Sequence, residues 1–537
     1  MYSLLALSLL LVFAYRWYRG TSLTHIRGPP PEFFFGNVRQ LMRGNSVDVM
    51  SAWKEEFGGV IRYQSLAGTS KLIISDPKAL QHILNVSAYD YPKPTWLTSF
   101  VRAVNGPDII SSEGDMHRRQ RKIMQPAFGA AEAKALCPAF QSAAERLVTK
   151  WQDIIVASGE NEAAVMDVHV GLSGATLDAI SSAAFDFRLD NEDTKERNRQ
   201  LLDVYHNFNA DAFPPSKVLL NAFLDFFPAA LVEPIFNTLP VKQVAMLRKH
   251  KQVAFDIAAE LVAQKRQELS EGRGQRDVFS LLLKANASGD SNSRMADEEV
   301  YAQMSSIFVA GHDTTANTLS FALCELARRP DMQARLRTDI RAAQAASRQR
   351  GRPAMTLNDI ENIEYLQAFL KEVLRRYPIV FHTSRMARKD DVVPLSTPIE
   401  ITSGERVQQI HVPKGTEVFI AIGCYNRDKG IWGEDADDFK PERWLKRGEA
   451  ERQATSLGLT GNLMSFLSGP RGCIGWRFAM AKMQIFLVEL VNHFEFGVAY
   501  PGRTILQFGD NLTYPVMDGK ELEGASAPLR VSPAPAE

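Results

Sequence analysis

Cys473 lies in the stretch Phe466-Leu467-Ser468-Gly469-Pro470-Arg471-Gly472-Cys473-Ile474-Gly475, with an aromatic seven residues upstream and an arginine two residues upstream. The stretch opens directly into a helical pattern beginning at Arg477. A thiol at a helix N-terminus beside an arginine has its thiolate favoured by unpaired backbone N–H groups and by positive charge. The thiolate is the form that ligates metals, so the loop is expected to hold one soft anionic ligand.

A second candidate site interrupts a long apolar run. The pattern from Asp297 to Arg329 predicts one helix ending before Pro330, apolar on most faces between Met304 and Leu326. Its middle reads Ala310-Gly311-His312-Asp313-Thr314-Thr315. Glycine inside a helix costs roughly 1 kcal/mol relative to alanine, and buried Asp and Thr need partners. Two readings stand. In one, a loosened turn presents Thr314 and Asp313 to a cavity; in the other, Gly311 allows close helix approach and threonine bonds its own backbone. Beside the Cys473 loop, the cavity is the favoured reading. His312 has no histidine at i+4 and is expected to be packed or hydrogen-bonded.

The elements around these residues are mostly helical. Helix periodicity covers 131–157, 242–271 and 332–348, while residues 59–75 form a hairpin and 385–422 a second strand-rich patch with turns at Ser403-Gly404 and Pro413-Lys414-Gly415. The expected class is mainly α with small antiparallel β-sheets. With 537 residues, no repeats and a formal net charge of zero, one large catalytic domain is expected and nucleic acid is not an expected partner. The remaining cysteines, Cys137, Cys324 and Cys424, form no C-x-x-C pair with one another or with Cys473, which argues against structural zinc. They are expected to be small buried hydrophobes.

No side chain from Met1 to Tyr15 is charged, and Arg16, Arg19 and Arg27 follow. About 18 helical residues at roughly 1.5 Å each span about 27 Å, close to the hydrocarbon thickness of an endoplasmic-reticulum bilayer. The positive flank predicts a cytosolic catalytic domain behind a single-pass N-terminal transmembrane helix. Residues 1–20 are read as the anchor, 21–40 as a proline-rich hinge around Gly28-Pro29-Pro30-Pro31, and 41–537 as the catalytic domain.

The Cys473 loop, the Ala310–Thr315 turn, Glu372-Val373-Leu374-Arg375 and Pro441-Glu442-Arg443-Trp444 together resemble the cytochrome P450 haem-thiolate monooxygenases, in particular their fungal microsomal members. That family's signature F-x-x-G-x-R-x-C-x-G is met at every fixed position. The resemblance covers nearly all the chain after the anchor and implies the cytochrome P450 fold. It further implies haem b (iron protoporphyrin IX) with Cys473 as the axial iron ligand, as known for this family. Phe466 would cover the cysteine side of the macrocycle, and Gly469 and Gly475 would permit the tight turn and close approach. Arg471, Arg385, Arg121 and His117 would hold propionates, His117 standing where the family has tryptophan. Glu372, Arg375 and Arg443 would form a structural trio.

In mechanism, the resemblance implies O2 as co-substrate, with Thr314 hydrogen-bonding at the oxygen site and Asp313 relaying protons. NADPH electrons would arrive through a partner flavoprotein reductase, for which Arg118, Arg119, Arg121, Lys122 and Lys482 could form a basic docking face, or simply a solvated one. Trp96, Phe100, Val104, Phe308, Ala310, Ile379, Val380 and Phe381 fall where the family lines its pocket, so the substrate is expected to be lipophilic: a terpenoid, a fatty chain or another secondary metabolite. Two rivals share the haem. One is a peroxide-rearranging or dehydrating enzyme needing no reductase, against which Asp313-Thr314 argues; the other is a non-enzymatic membrane haem carrier or sensor.

Overall fold

The computed structural model describes residues 23–43, 45–159, 163–187, 242–272, 277–288, 294–445 and 457–535. The segment expected to be the membrane anchor lies outside these residues, and no helix among the described residues is long and apolar enough to cross a membrane. Five helices matter for the site: α1 (Gly114–Met124), α2 (Val168–Phe185), α3 (Asp297–Arg328), α4 (Glu364–Arg376) and α5 (Trp476–His493). Further helices cover Cys137–Ala157, Lys242–Ser270 and Pro330–Gln349. The pattern expected to run unbroken from residue 131 is divided, because Pro138 stands in the first turn of the longer helix and cannot continue the shorter Ala130–Ala135 helix before it.

The expected hairpin forms from β1 (Val60–Gln64) and β2 (Ser70–Ile74), paired antiparallel with Val60 opposite Ile74. The second strand-rich patch supplies β3 (Thr383–Met386), β4 (Asp391–Glu400), β5 (Arg406–Val412) and β6 (Glu417–Ile420). Strands β4 and β5 form a hairpin of their own. The main sheet runs β1-β2-β6-β3, and its β2–β6 pair is parallel, with Leu72 opposite Val418, so the expectation of purely antiparallel sheets fails at this one junction. The two strands are far apart in sequence, which makes a long crossover and hence a parallel pair possible.

The main core packs α2, α3, α4 and α5 together, with Leu172, Leu319, Leu370 and Leu487 wholly buried. Helix α3 is buried on most faces between Met304 and Leu326, its polar residues Ser305, Ser306, Thr315, Asn317, Thr318 and Ser320 included. A smaller cluster lies beneath the sheet and includes Leu23 and Ile26, at 2% and 0% exposure, with Val60 and Ile74. Arg27 also takes part, its carbonyl accepting the Arg62 N–H. Leu23 and Ile26, within the stretch expected to be a hinge, are therefore packed on the sheet. Cys324 and Cys424 are buried and Cys137 is half-buried.

Candidate active site

The cysteine loop is shaped by two backbone features. Gly469 has φ +70°, and a Cβ there would stand 2.1 Å from the Leu84 carbonyl oxygen, so only glycine fits. The Cys473 N–H donates to the Phe466 carbonyl at 2.9 Å, closing the loop over a buried phenylalanine. Gly475 is different. Its φ is −90° and an added Cβ would meet only the Phe128 ring, at 3.9 Å, so the tight turn depends on Gly469 and not on Gly475.

The Cys473 side chain is exposed at the start of α5. Desolvation by the surrounding chain raises its thiol pKa, against the Gly475 N–H and Arg121, which lower it. The sulfur is thus open to a partner on one side while the chain packed around its base disfavours charge on the unliganded thiol. The arginine acting on the sulfur is Arg121 of α1, whose Nη1 donates to the Gly472 carbonyl at 2.6 Å, and not the neighbouring Arg471.

Arg471 turns instead into a buried cationic cluster. Its side chain is 4% exposed and pairs with Glu113, while its Nε and Nη1 are buried without an acceptor. Arg385 is buried beside it, donating to the Ser384 carbonyl at 2.8 Å, and its pKa falls to about 10 through burial and the charge of Arg471. Lys93 reaches Glu113 at 3.0 Å and the Ser112 carbonyl at 3.2 Å, its pKa lowered to about 8 chiefly by burial. His117 is 3% exposed, and its Nδ1 lies 3.1 Å from the Tyr89 hydroxyl. Burial together with Lys93, Arg471 and Arg121 pushes its pKa down to about 3, so the ring is neutral. Lys93, Arg121, Arg385 and Arg471 thus converge with Glu113 as the carboxylate acting among them. Buried charge needs a counter-charge, so this cluster is built to take a further anion.

Lys93, Tyr89 and Glu113 were missed by sequence reasoning. Lys93 did carry a signal, since it stands between Pro92 and Pro94 just ahead of the helix Thr95–Asn105.

Helix α3 is continuous through Ala310–Thr315, so no turn is unwound. A Cβ on Gly311 would meet Ile180 of α2 at 2.7 Å, and Thr314 and Thr315 donate to the carbonyls four residues back, at 2.8 and 3.3 Å. Gly311 therefore serves the helix contact. Ala310 nevertheless is exposed and Thr314 half-buried, so this face of the helix borders open space. His312 is buried, with Nδ1 2.8 Å from the Phe308 carbonyl and Nε2 2.9 Å from Asp313 Oδ1.

The expected pocket lining divides. Trp96, Phe100 and Val380 are half-buried and Ala310 exposed, as a lining requires. Phe308 is 1% exposed and stacks on Phe185 at 4.4 Å, and Phe381 is fully buried among Trp53, Tyr63 and Ile73. Both belong to the core, as do the buried Val104 and Ile379. The basic face also shrinks. Arg119 pairs with Glu299 and donates to the Arg294 carbonyl, Arg121 is committed to the cysteine loop, and Lys482 is buried. Arg118 and Lys122 remain at the surface.

Glu372, Arg375 and Arg443 are brought together as expected. Arg375 makes a two-pronged pair with Glu372 at 2.8 and 2.9 Å, and Arg443 Nε reaches the same carboxylate at 3.0 Å. The Trp444 indole N–H and the Lys440 amide complete it at 2.9 and 2.8 Å.

The family model for cytochrome P450 matches residues 26–508. The chain is 33% identical to cytochrome P450 monooxygenase 205 of Postia placenta, covering 95% of this chain and 93% of that protein. It is 32% identical to cytochrome P450 monooxygenase claQ of Ampulloclitocybe clavipes, with the same coverages.

Proposed function

This chain belongs to the cytochrome P450 monooxygenase family, a family of haem-iron enzymes that use O2, and on that premise we propose that it is a membrane-anchored haem-thiolate hydroxylase of a lipophilic secondary metabolite. The observation that carries the reading is an exposed cysteine sulfur two residues from a buried guanidinium with two nitrogens unanswered. Those residues fit an iron porphyrin, which offers a cation to the sulfur and carboxylates to the arginines.

When bound, haem supplies the O2-activating chemistry that oxidises a C–H bond. Cys473 would hold the iron, since a coordinated cation deprotonates a thiol outright and so overcomes the desolvation that raises its pKa. Arg471, through Nε and Nη1, and Arg385 would hold carboxylates as forked cations do. Neutral His117, with Nδ1 directed at Tyr89, has Nε2 to donate. Thr314 keeps its hydroxyl proton on the Ala310 carbonyl and can turn it toward the open face. Asp313, 17% exposed and 2.9 Å from His312, would replace that proton from solvent.

Thr314→Ala should keep haem and substrate binding but divert most reducing equivalents to hydrogen peroxide, measured as peroxide formed per NADPH oxidised. Unchanged coupling would remove Thr314 from proton delivery. The function itself is tested by reconstituting the protein with an NADPH-dependent flavoprotein reductase and a lipophilic extract of its host. Products carrying one atom of isotopically labelled O2 support the proposal. Turnover with an organic hydroperoxide but none with NADPH and reductase would replace it with the peroxide-rearranging alternative.

Membrane attachment at the endoplasmic reticulum is supported by the uncharged first fifteen residues with arginines behind them. A second support is Phe33 and Phe34, 98% and 51% exposed at a tight turn. Removing residues 1–22 should release folded protein from membranes. Removing 1–27 should also destabilise it, because Leu23 and Ile26 leave the core at about 1.5–3 kcal/mol each. Equal thermal stability of the two truncations would contradict the packing role of Leu23 and Ile26.

A further inference from the structure

Helix α5 buries an apolar face that includes Phe478, Ile485 and Phe486, yet at Lys482, in line with them, it carries a cation only 2% exposed. Lysine is almost never fully buried unless paired. Here burial alone acts on the amine, lowering its pKa to about 7, with no carboxylate contributing. Its ammonium donates to the Gly311 carbonyl at 2.5 Å.

Gly311 lies two residues before Asp313 and three before Thr314. Its carbonyl also accepts from Thr315 Oγ1 at 3.3 Å. The next carbonyl, that of His312, accepts from Thr176 Oγ1 of α2 at 3.1 Å. Two successive carbonyls of this turn are therefore held from outside the helix, one by α5 and one by α2. A carbonyl oxygen has two lone pairs, so a lysine on Gly311 competes with the helix's own N–H and fixes where that turn sits. The tether matters because α5 begins three residues after Cys473.

We propose that Lys482 is a positioning residue for oxygen activation, fastening Gly311 to the helix that issues from the cysteine loop and so setting the register of Asp313 and Thr314 at the reacting site. The inference rests on the roles of Cys473 and Thr314 given above. Lys482 acts only through the turn. A methionine in its place keeps the volume and removes the donor, and because burying an amine opposes folding, the change should not lower stability.

The experiment compares wild type, Lys482→Met, Lys482→Gln, Thr314→Ala and the Lys482→Met/Thr314→Ala double variant, each as full-length haem-loaded protein with reductase and NADPH. The readouts are melting temperature, the C–O stretching frequency of the ferrous–CO complex, and the fraction of electrons released as peroxide. Lys482→Met is expected to melt no lower than wild type, to shift the C–O stretch, and to raise the peroxide fraction several-fold. In the double variant it should add nothing to the effect of Thr314→Ala, because both act on one turn. A wild-type C–O stretch and peroxide fraction in Lys482→Met, or additive effects in the double variant, would overturn the proposal. So would loss of folded holoprotein in both Lys482 variants, which would make the residue a stability element. If Thr314→Ala alone leaves coupling unchanged, the reading of Thr314 fails; if only the Lys482 variants are silent, this inference alone fails.

Discussion

Replacing Glu372 by alanine is expected to destabilise the fold by about 3–5 kcal/mol, the cost of removing one partner from a buried ion pair. Both Glu372 and Arg375 are fully buried, and the loss would leave Arg375, Arg443, the Trp444 indole and the Lys440 amide all facing a missing acceptor. Arg375 also holds the carbonyls of Asn426 and Asp438, at 2.9 Å each. The damage would thus spread to the segment before Pro441 and, through Asn426, to the Met464 amide that opens the cysteine loop. Thermal unfolding and haem content should fall together in Glu372→Ala, whereas Lys440→Ala, which removes only a surface side chain, should change stability by less than about 1 kcal/mol. Comparable losses in the two variants would contradict the network.

The same carboxyl makes the fold acid-labile. Burial, the strongest influence, raises the Glu372 pKa, but Arg375 and Arg443 outweigh it and the net shift is downward. A carboxylate whose folded pKa is depressed contributes stability that is complete above its unfolded pKa of about 4.3 and is lost as pH falls through the folded value. Unfolding in acid should therefore require a lower pH in the wild type than in Glu372→Gln.

The second large effect is expected from Cys473→Ser. Serine is isosteric and keeps the loop, since the Cys473 N–H to Phe466 carbonyl bond and the Gly469 turn involve backbone alone. What would be lost is the sulfur proposed to ligate iron, whose thiolate form would push electron density onto the metal. NADPH-driven substrate oxidation should fall to background while the melting temperature of the protein moves little. A Cys473→Ser variant with wild-type turnover would exclude the sulfur from the chemistry.

How far the site could be read in advance depended on whether its contacts are local. The cysteine loop and Glu372–Arg375 were legible because their chemistry lies within ten and four residues of chain, and the geometry follows from spacing. Phe308 and Phe381 were misplaced because an apolar residue on a periodic face looks the same whether that face borders a cavity or the core. Arg119 reads as surface charge because its partner Glu299 lies far along the chain, and the bond from Arg121 to the Gly472 carbonyl is hidden by the same distance. The parallel β2–β6 pair was hidden for the same reason. Lys482 carried a usable sign, a lone cation on the apolar stripe of α5 with Phe478 four residues before it and Phe486 four after. Only the fold shows that the stripe meets Gly311.

The most direct test is the reduced, CO-saturated absorption spectrum of the purified full-length protein. A Soret band red-shifted relative to that of histidine-ligated haem proteins is the predicted result, with the shift abolished in Cys473→Ser. A folded protein that takes up no porphyrin, or one whose CO complex absorbs like a nitrogen-ligated haem, would contradict the assignment of Cys473 to iron.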